Sequence, residues 1–111
     1  MRKIIVGAMV SMDGVMQAPG GPTEDPTKGF KFGGWQMPYF DQVFGEELDR
    51  VFNDFDLLLG RKTYEIFAGY WPYHQGSIAK KFNAIKKYAV SRSGEVDTSG
   101  QGSVLLRDIA D

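Results

Sequence analysis

The sequence predicts an α/β domain built on a largely parallel sheet, and three observations carry that prediction. Short apolar runs of strand length alternate with stretches of helical periodicity, in the order strand, helix, strand, helix, strand. The first run is continuous rather than alternating, as suits a strand covered on both faces. Of 111 residues, 42% are apolar and 14% aromatic, enough for a real core, and the length implies one domain over residues 1–111.

Each element has a local reason. Ile4-Ile5-Val6-Gly7-Ala8-Met9-Val10 reads as the first strand, closed by a turn at Asp13-Gly14. Gly and Pro then crowd Gln17 to Gly34, a long loop of the kind that is usually functional or disordered. Pro38 to Phe55 reads as a helix, since Phe40, Val43, Phe44, Leu48, Val51, Phe52 and Phe55 recur near i, i+3, i+4. Pro38 suits a first turn, and Asp41 suits the positive end of the helix dipole. Asp56-Leu57-Leu58-Leu59-Gly60 is a short buried strand ended by Gly, and Arg61 to Tyr70 is a helix stopped near Trp71-Pro72. Ser77 to Ala84 reads as another short helix and Lys86 to Ser91 as the third strand. Gly94 to Gly102 reads as a polar loop and Ser103 to Leu106 as a fourth strand. Right-handed crossovers join the parallel strands. The chain then stops at Ile109-Ala110-Asp111, where a further helix and strand are due, so the pattern reads as unfinished.

Composition excludes several function classes. Without Cys there are no disulfides, thiol nucleophiles, iron–sulfur clusters or Cys-type zinc sites. The single His, His74, argues against a His-rich metal site and reads as exposed and structural, so no metal is expected. With 13 Lys+Arg against 14 Asp+Glu, the net charge of −1 gives no general attraction to nucleic acid or an anionic membrane. The longest apolar run, Ile4 to Val10, is far short of the roughly 20 residues of a membrane span. No Ala-x-Ala-like site follows it, so no signal peptide is expected and a cytoplasmic location is the default.

Three segments have residue types that chemistry could use. In Leu57 to Glu65, a strand ends at Gly60 and a helix starts within a few residues, which exposes backbone N–H groups and the dipole to an anion. Arg61 and Lys62 add positive charge and Thr63 a hydroxyl, together suiting a phosphate or pyrophosphate. The same residues also read as a tight turn, a satisfied helix end and solvated cations. Ser91, Arg92 and Ser93 leave the third strand at its carboxyl end, where open α/β sheets bind ligands, and suit a second phosphate such as a cofactor 2′-phosphate. They read equally as a polar strand exit. Val10 to Met16 follows the small residues Gly7 and Ala8, which let a flat ligand approach the backbone, or else forms an ordinary Asp-Gly turn. Asp41 is a candidate acid or hydrogen-bonding partner for a substrate ring, or a helix-end residue only. Trp35 and Tyr39 could stack on a ring or belong to the core. Lys80, Lys81, Lys86 and Lys87 read as a solvated face.

Taken together, these segments resemble the dihydrofolate reductase superfamily, and most of all its bacterial branch related to the C-terminal reductase domain of riboflavin-biosynthesis RibD proteins. The resemblance rests on Ile4 to Val15 with its Ser-Met-Asp-Gly, Gly34-Trp35 with Pro38-Tyr39-Phe40-Asp41, Leu58 to Glu65, Tyr70-Trp71-Pro72, and Lys87 to Arg92. Their order and spacing cover nearly the whole chain. The resemblance implies a three-layer αβα fold and a cytoplasmic, NADPH-dependent oxidoreductase. It places Gly60, Arg61 and Thr63, with Lys62 between them, at the cofactor phosphates. Ser91 and Arg92 fall at the adenosine 2′-phosphate, with Ser93 next to them in the sequence, and Ala8, Asp13 and Gly14 by the nicotinamide. Trp35 and Tyr39 are then substrate residues, Asp41 is the nearest match to the acidic residue of the family, and the Gly/Pro-rich loop is the mobile active-site loop. Hydride would pass to a C=N or C=O carbon of a pterin-like, pyrimidine or related flat heterocycle.

The family continues beyond this point with a Gly-rich cofactor-binding segment and further strands, one of which inserts between the first strand and the Leu57–Leu59 strand. The expectation is therefore an incomplete domain: a truncated chain, a fragment, or a homo-oligomer, in the first instance a dimer, whose partner supplies strands. Two functions follow as expectations. One is an NADPH-dependent reductase or the N-terminal part of one, and the other is a non-catalytic nucleotide-binding or assembly module.

Overall fold

Three four-residue strands, Leu57–Gly60 (β1), Lys87–Val90 (β2) and Ser103–Leu106 (β3), form a parallel sheet in the order β1-β2-β3. They come from a computed structural model that describes residues 2–100, 102–108 and 110. Of the closing Ile109-Ala110-Asp111, Ile109 and Asp111 lie outside the described residues, as does Gln101 in the polar loop. The helices among the described residues are Gln42–Val51 (α1), Arg61–Tyr70 (α2) and Ser77–Ala84 (α3). The chain packs as two compact units, residues 1–42 and 43–111. No helix among the described residues is long and apolar enough to cross a membrane.

In the unit of residues 43–111 the register is continuous across the sheet. Leu59 pairs with Ala89 and Ala89 with Leu105, so the alanine sits between two leucines and is fully buried, at 0% exposure. A parallel pair needs a long crossover. Residues 61–86, with α2 and α3, supply the first, and residues 91–102 supply the second with no helix among those described. The core beside the sheet is aromatic. The Phe82 ring, on α3, lies 5.2 Å from Phe52, 5.4 Å from Phe67 and 5.1 Å from Trp71, mostly edge to face. That gathers the end of α1, the middle of α2 and the turn after it onto one residue that is 5% exposed.

α1 is also tied to α3 by polar contacts. Ser77 Oγ donates to both carboxylate oxygens of Asp49, at 3.0 and 2.9 Å, and Lys81 Nζ donates to Asp49 O at 2.9 Å and Oδ1 at 3.2 Å. The Ser77 bond first, and Lys81 second, hold the Asp49 carboxyl below its ordinary value. A carboxyl depressed in the fold contributes its stability in full above its unfolded pKa of about 3.9, and loses it as pH falls through the folded value. Asp49→Asn is therefore expected to lower the urea midpoint near pH 7 but to approach wild type as the pH drops from about 4 towards 3. Parallel midpoints across that range would show that the link does not titrate.

Most elements fall where the sequence places them, but β1 is not the buried strand expected, since Leu58 at an open sheet edge is 63% exposed, and two other elements differ. The run Ile4 to Val10 is not a strand. Residues 2–10 carry no regular structure, and Ile4, Ile5 and Val6 are 88, 80 and 89% exposed rather than covered on both faces. A strand exists only as part of a ladder, and the three-stranded sheet does not include this run. The helix expected over Pro38 to Phe55 shrinks to α1. Pro38 sits in a separate 3-10 turn, Met37–Tyr39, and the extended Phe40 (φ −78°, ψ 112°) breaks it from α1. At the far end the left-handed Asp54 (φ +52°) turns the chain away.

In the unit of residues 1–42, the Gly/Pro-rich segment folds on itself with only the 3-10 turn Thr27–Gly29 as regular structure among its residues. Gln17 Nε2 donates to Asp25 O at 2.9 Å and Thr27 O at 3.0 Å, and Trp35 Nε1 donates to Gln17 O at 2.9 Å. Glu24 accepts from the Gly20 and Gly21 amides, and Gly34 N donates to Ala18 O at 2.8 Å. These bonds make a self-packed loop of the Ω type.

Candidate functional site

The sequence-predicted residues fall into two groups, one in each unit. The first group stands at the carboxyl end of the sheet. Gly60 is in register with Val90 and Val90 with Leu106, so the three strands end side by side. Their next residues, Arg61, Ser91 and Arg107, therefore leave the sheet at one edge. Gly60 is extended (φ −65°, ψ 158°) and α2 begins immediately after it with no side-chain cap on its first turn. Those first N–H groups have no partner within the helix, and they carry the positive end of its dipole. Nothing lies within 4 Å of where a Cβ on Gly60 would stand, so the backbone there is open to a ligand. Arg61, Lys62 and Thr63 are exposed, with Arg61 Nε 3.7 Å from Glu65 Oε1 one turn along the helix. At that separation in water the pair costs Arg61 little freedom.

Ser91 is the buried member of the group at 7% exposure, while Arg92 and Ser93 are exposed. Ser91 N donates to Leu106 O at 3.0 Å, extending the ladder by one bond, and the Ser91 and Ser93 hydroxyls lie 3.2 Å apart. The chain then turns at Gly94 (φ +71°), where the Arg107 guanidinium lies 2.7 Å from the position a Cβ would take. The left-handed turn is what favours glycine there, since the guanidinium is the end of a flexible side chain. Arg107 was not legible as a site residue in the sequence. Its signal is positional, as the first residue past a strand parallel to two others whose exits carry Arg61 and Arg92.

The second group surrounds a cavity of ≈ 620 Å³ within residues 1–42, whose walls include Ser11, Asp13, Phe30, Phe32, Trp35 and Tyr39. The structure thus brings together the Ser-Met-Asp turn and the two aromatics expected to stack on a ring. Gly14 (φ +87°) closes the turn with its amide on Ser11 O at 3.0 Å. Ser11 Oγ donates to Asp13 Oδ1 and accepts from Val15 N at 2.9 Å. The Ser11 bond, and then its own backbone, hold the Asp13 carboxyl below its ordinary value. At neutral pH Asp13 is therefore an acceptor of hydrogen bonds and not a proton donor. Ala8, Gly14 and Asp41 do not line this cavity, and Asp41 stands exposed immediately before α1.

Two other residues depart from the sequence reading. Lys81 and Lys87 do not belong to a solvated face: Lys81 is bonded to Asp49, and Lys87 is partly buried. His74 is exposed as expected, with its ring stacked on Tyr70 at 3.7 Å and Nδ1 2.6 Å from Tyr70 O.

No family model matches the sequence, and no curated protein matches it at a significant level.

Proposed function

We propose that the chain acts as an NADPH-dependent reductase of dihydrofolate reductase-like, three-layer αβα architecture, on a flat heterocycle of pterin or pyrimidine type. The observation that carries the reading is the row of strand exits at one sheet edge, with Arg61, Arg92 and Arg107 beside an uncapped helix start and a buried serine hydroxyl. That donor set fits phosphate. Backbone N–H groups at a helix start bind one phosphate and guanidinium groups make bidentate bonds to another, with Asp108 and Glu65 as the carboxylates nearest in sequence to the three strand exits.

Gly60 to Thr63 would hold the pyrophosphate and Ser91 to Ser93 the 2′-phosphate. When bound, the cofactor supplies the hydride. The protein's part is to orient and to exclude water. Trp35 and Tyr39 offer π-faces to a ring in the cavity of residues 1–42, and the ionised Asp13 accepts from amide or ring N–H groups. Asp41, the resemblance's match to the acidic residue of the family, does not line that cavity, and no proton carrier is assigned among its walls.

The test is a titration with NADPH and NADH in parallel. A charge-assisted bond to a phosphate contributes about 1.5–3 kcal/mol. Arg92→Ala should therefore weaken NADPH about 10- to 100-fold and leave NADH unchanged, erasing the preference. Equal binding of both cofactors by the wild-type chain would remove the 2′-phosphate assignment. No binding of either would remove the dinucleotide reading.

A further inference from the structure

A second cavity, of ≈ 400 Å³, opens at the other end of the sheet within residues 43–111, and its walls include Tyr64, Phe67, Trp71, Asn83, Lys87 and Ser103. Lys87 and Ser103 are the first residues of β2 and β3 and are partners in register. The strand exits that carry the phosphate-type donors lie a strand's length away, about 10 Å for four residues. The two sites are therefore separate. The walls are aromatic rings already fixed by the Phe82 cluster: Trp71 is held edge-on to Phe67 at 6.2 Å and to Phe82 at 5.1 Å. Asn83 Nδ2 donates to Trp71 O at 2.9 Å, which anchors the backbone of that wall, and the amide oxygen accepts no bond among the described residues.

Lys87 is the unusual member. Its ammonium donates to Ile85 O at 3.0 Å, and no ion pair with a carboxylate satisfies it among the described residues. Burial pushes its pKa down, with no opposing charge to restore it. A partly desolvated cation held by a backbone carbonyl, on the wall of an aromatic cavity, favours a ligand that brings a counter-charge on an apolar, planar body.

We propose that this cavity binds a small planar aromatic carboxylate, its ring against Trp71 and Phe67 and its carboxylate paired with Lys87 and within reach of the Ser103 hydroxyl. The proposal stands independently of the reductase reading, since it uses none of the residues assigned to the cofactor.

The probe is benzoate, titrated into the full chain and followed by NMR at the two tryptophan indoles, with benzyl alcohol as the neutral analogue of the same shape. Benzoate should saturate with a Kd of about 1 mM or below, the range open to a ligand of fragment size. It should shift the Trp71 indole and not that of Trp35. Benzyl alcohol should bind about tenfold more weakly or worse. Lys87→Met, which keeps the length and apolar stem, should bring benzoate down to the level of benzyl alcohol. The comparison of the two ligands on the wild-type chain decides the matter even if the variant misfolds. Equal affinity for the two, shifts at Trp35 instead of Trp71, or no saturation by benzoate would each overturn the proposal. Cofactor titrations on the same sample separate its failure from that of the reductase reading.

Discussion

Phe82→Ala should cost the unit of residues 43–111 about 3–5 kcal/mol, the range for removing a buried phenylalanine. The estimate belongs at the upper end here. Phe82 is 5% exposed, and its ring is the shared partner of Phe52, Phe55, Phe67 and Trp71, with centroids between 5.1 and 6.3 Å. Each edge-to-face pair adds about 0.5–1.5 kcal/mol beyond the area it buries. The neighbours come from three places, the exit of α1, α2 and the turn after α2, and α2 is itself packed on β1 and β2. A domain's whole stability is about 5–15 kcal/mol, so the variant should be largely unfolded at moderate temperature. Urea unfolding followed by near-ultraviolet circular dichroism measures it. A loss below about 1 kcal/mol would mean the ring cluster does not organise this core.

Gly33→Ala should open the loop of the first unit. A Cβ at Gly33 would stand 2.6 Å from Pro22 O and 2.7 Å from Gly21 O. Both are backbone atoms, so no side chain can swing aside, and the loop must separate or the chain must shift. Overpacking of this kind costs about 1–3 kcal/mol, occasionally more. The next residues are the ones that close the loop, Gly34 on Ala18 and Trp35 on Gln17. Hydrogen exchange at the Trp35 indole reports the outcome. Its protection by the Gln17 carbonyl should fall about 10- to 100-fold, while the Trp71 indole, in the other unit, stays as in wild type. Unchanged protection at Trp35 would show that the two backbone segments are not in contact.

How far these features were legible in the sequence varies from element to element. α2, α3 and β3 have the bounds that periodicity and punctuation give them, and β1 and β2 differ only at the ends. There the local signals agree: Gly60 closes a leucine run, Pro72 stops a helix, and Gly76 precedes one. The first run failed because composition reports the preference for a strand and not the partner. Ile4, Ile5 and Val6 have the residue types of a buried strand, yet pairing is a property of the sheet. The helix from Pro38 failed at both ends because apolar spacing continues through Phe40 and Phe55, where the backbone does not. The positions of Gly60 to Thr63 and Ser91 to Ser93 at strand exits were legible because strand end and helix start are local. Arg107 and Lys87 were not, since one depends on the order of strands in the sheet and the other on which walls enclose a cavity.

The exposed Ile4-Ile5-Val6 run also bears on how the protein behaves when concentrated. Three adjacent β-branched residues, followed by Gly7-Ala8-Met9-Val10 with no charge and no proline, have the composition of a self-pairing amyloid-type segment. Arg2 and Lys3 flank it as gatekeepers, repelling the same segment on another molecule. That repulsion is between exposed charges and acts over about 10 Å at 0.1 M ionic strength. With a net charge of −1 for the whole chain, little colloidal repulsion remains once salt has screened the two cations. Dilute, low-salt solutions are therefore the conditions in which the molecules stay apart.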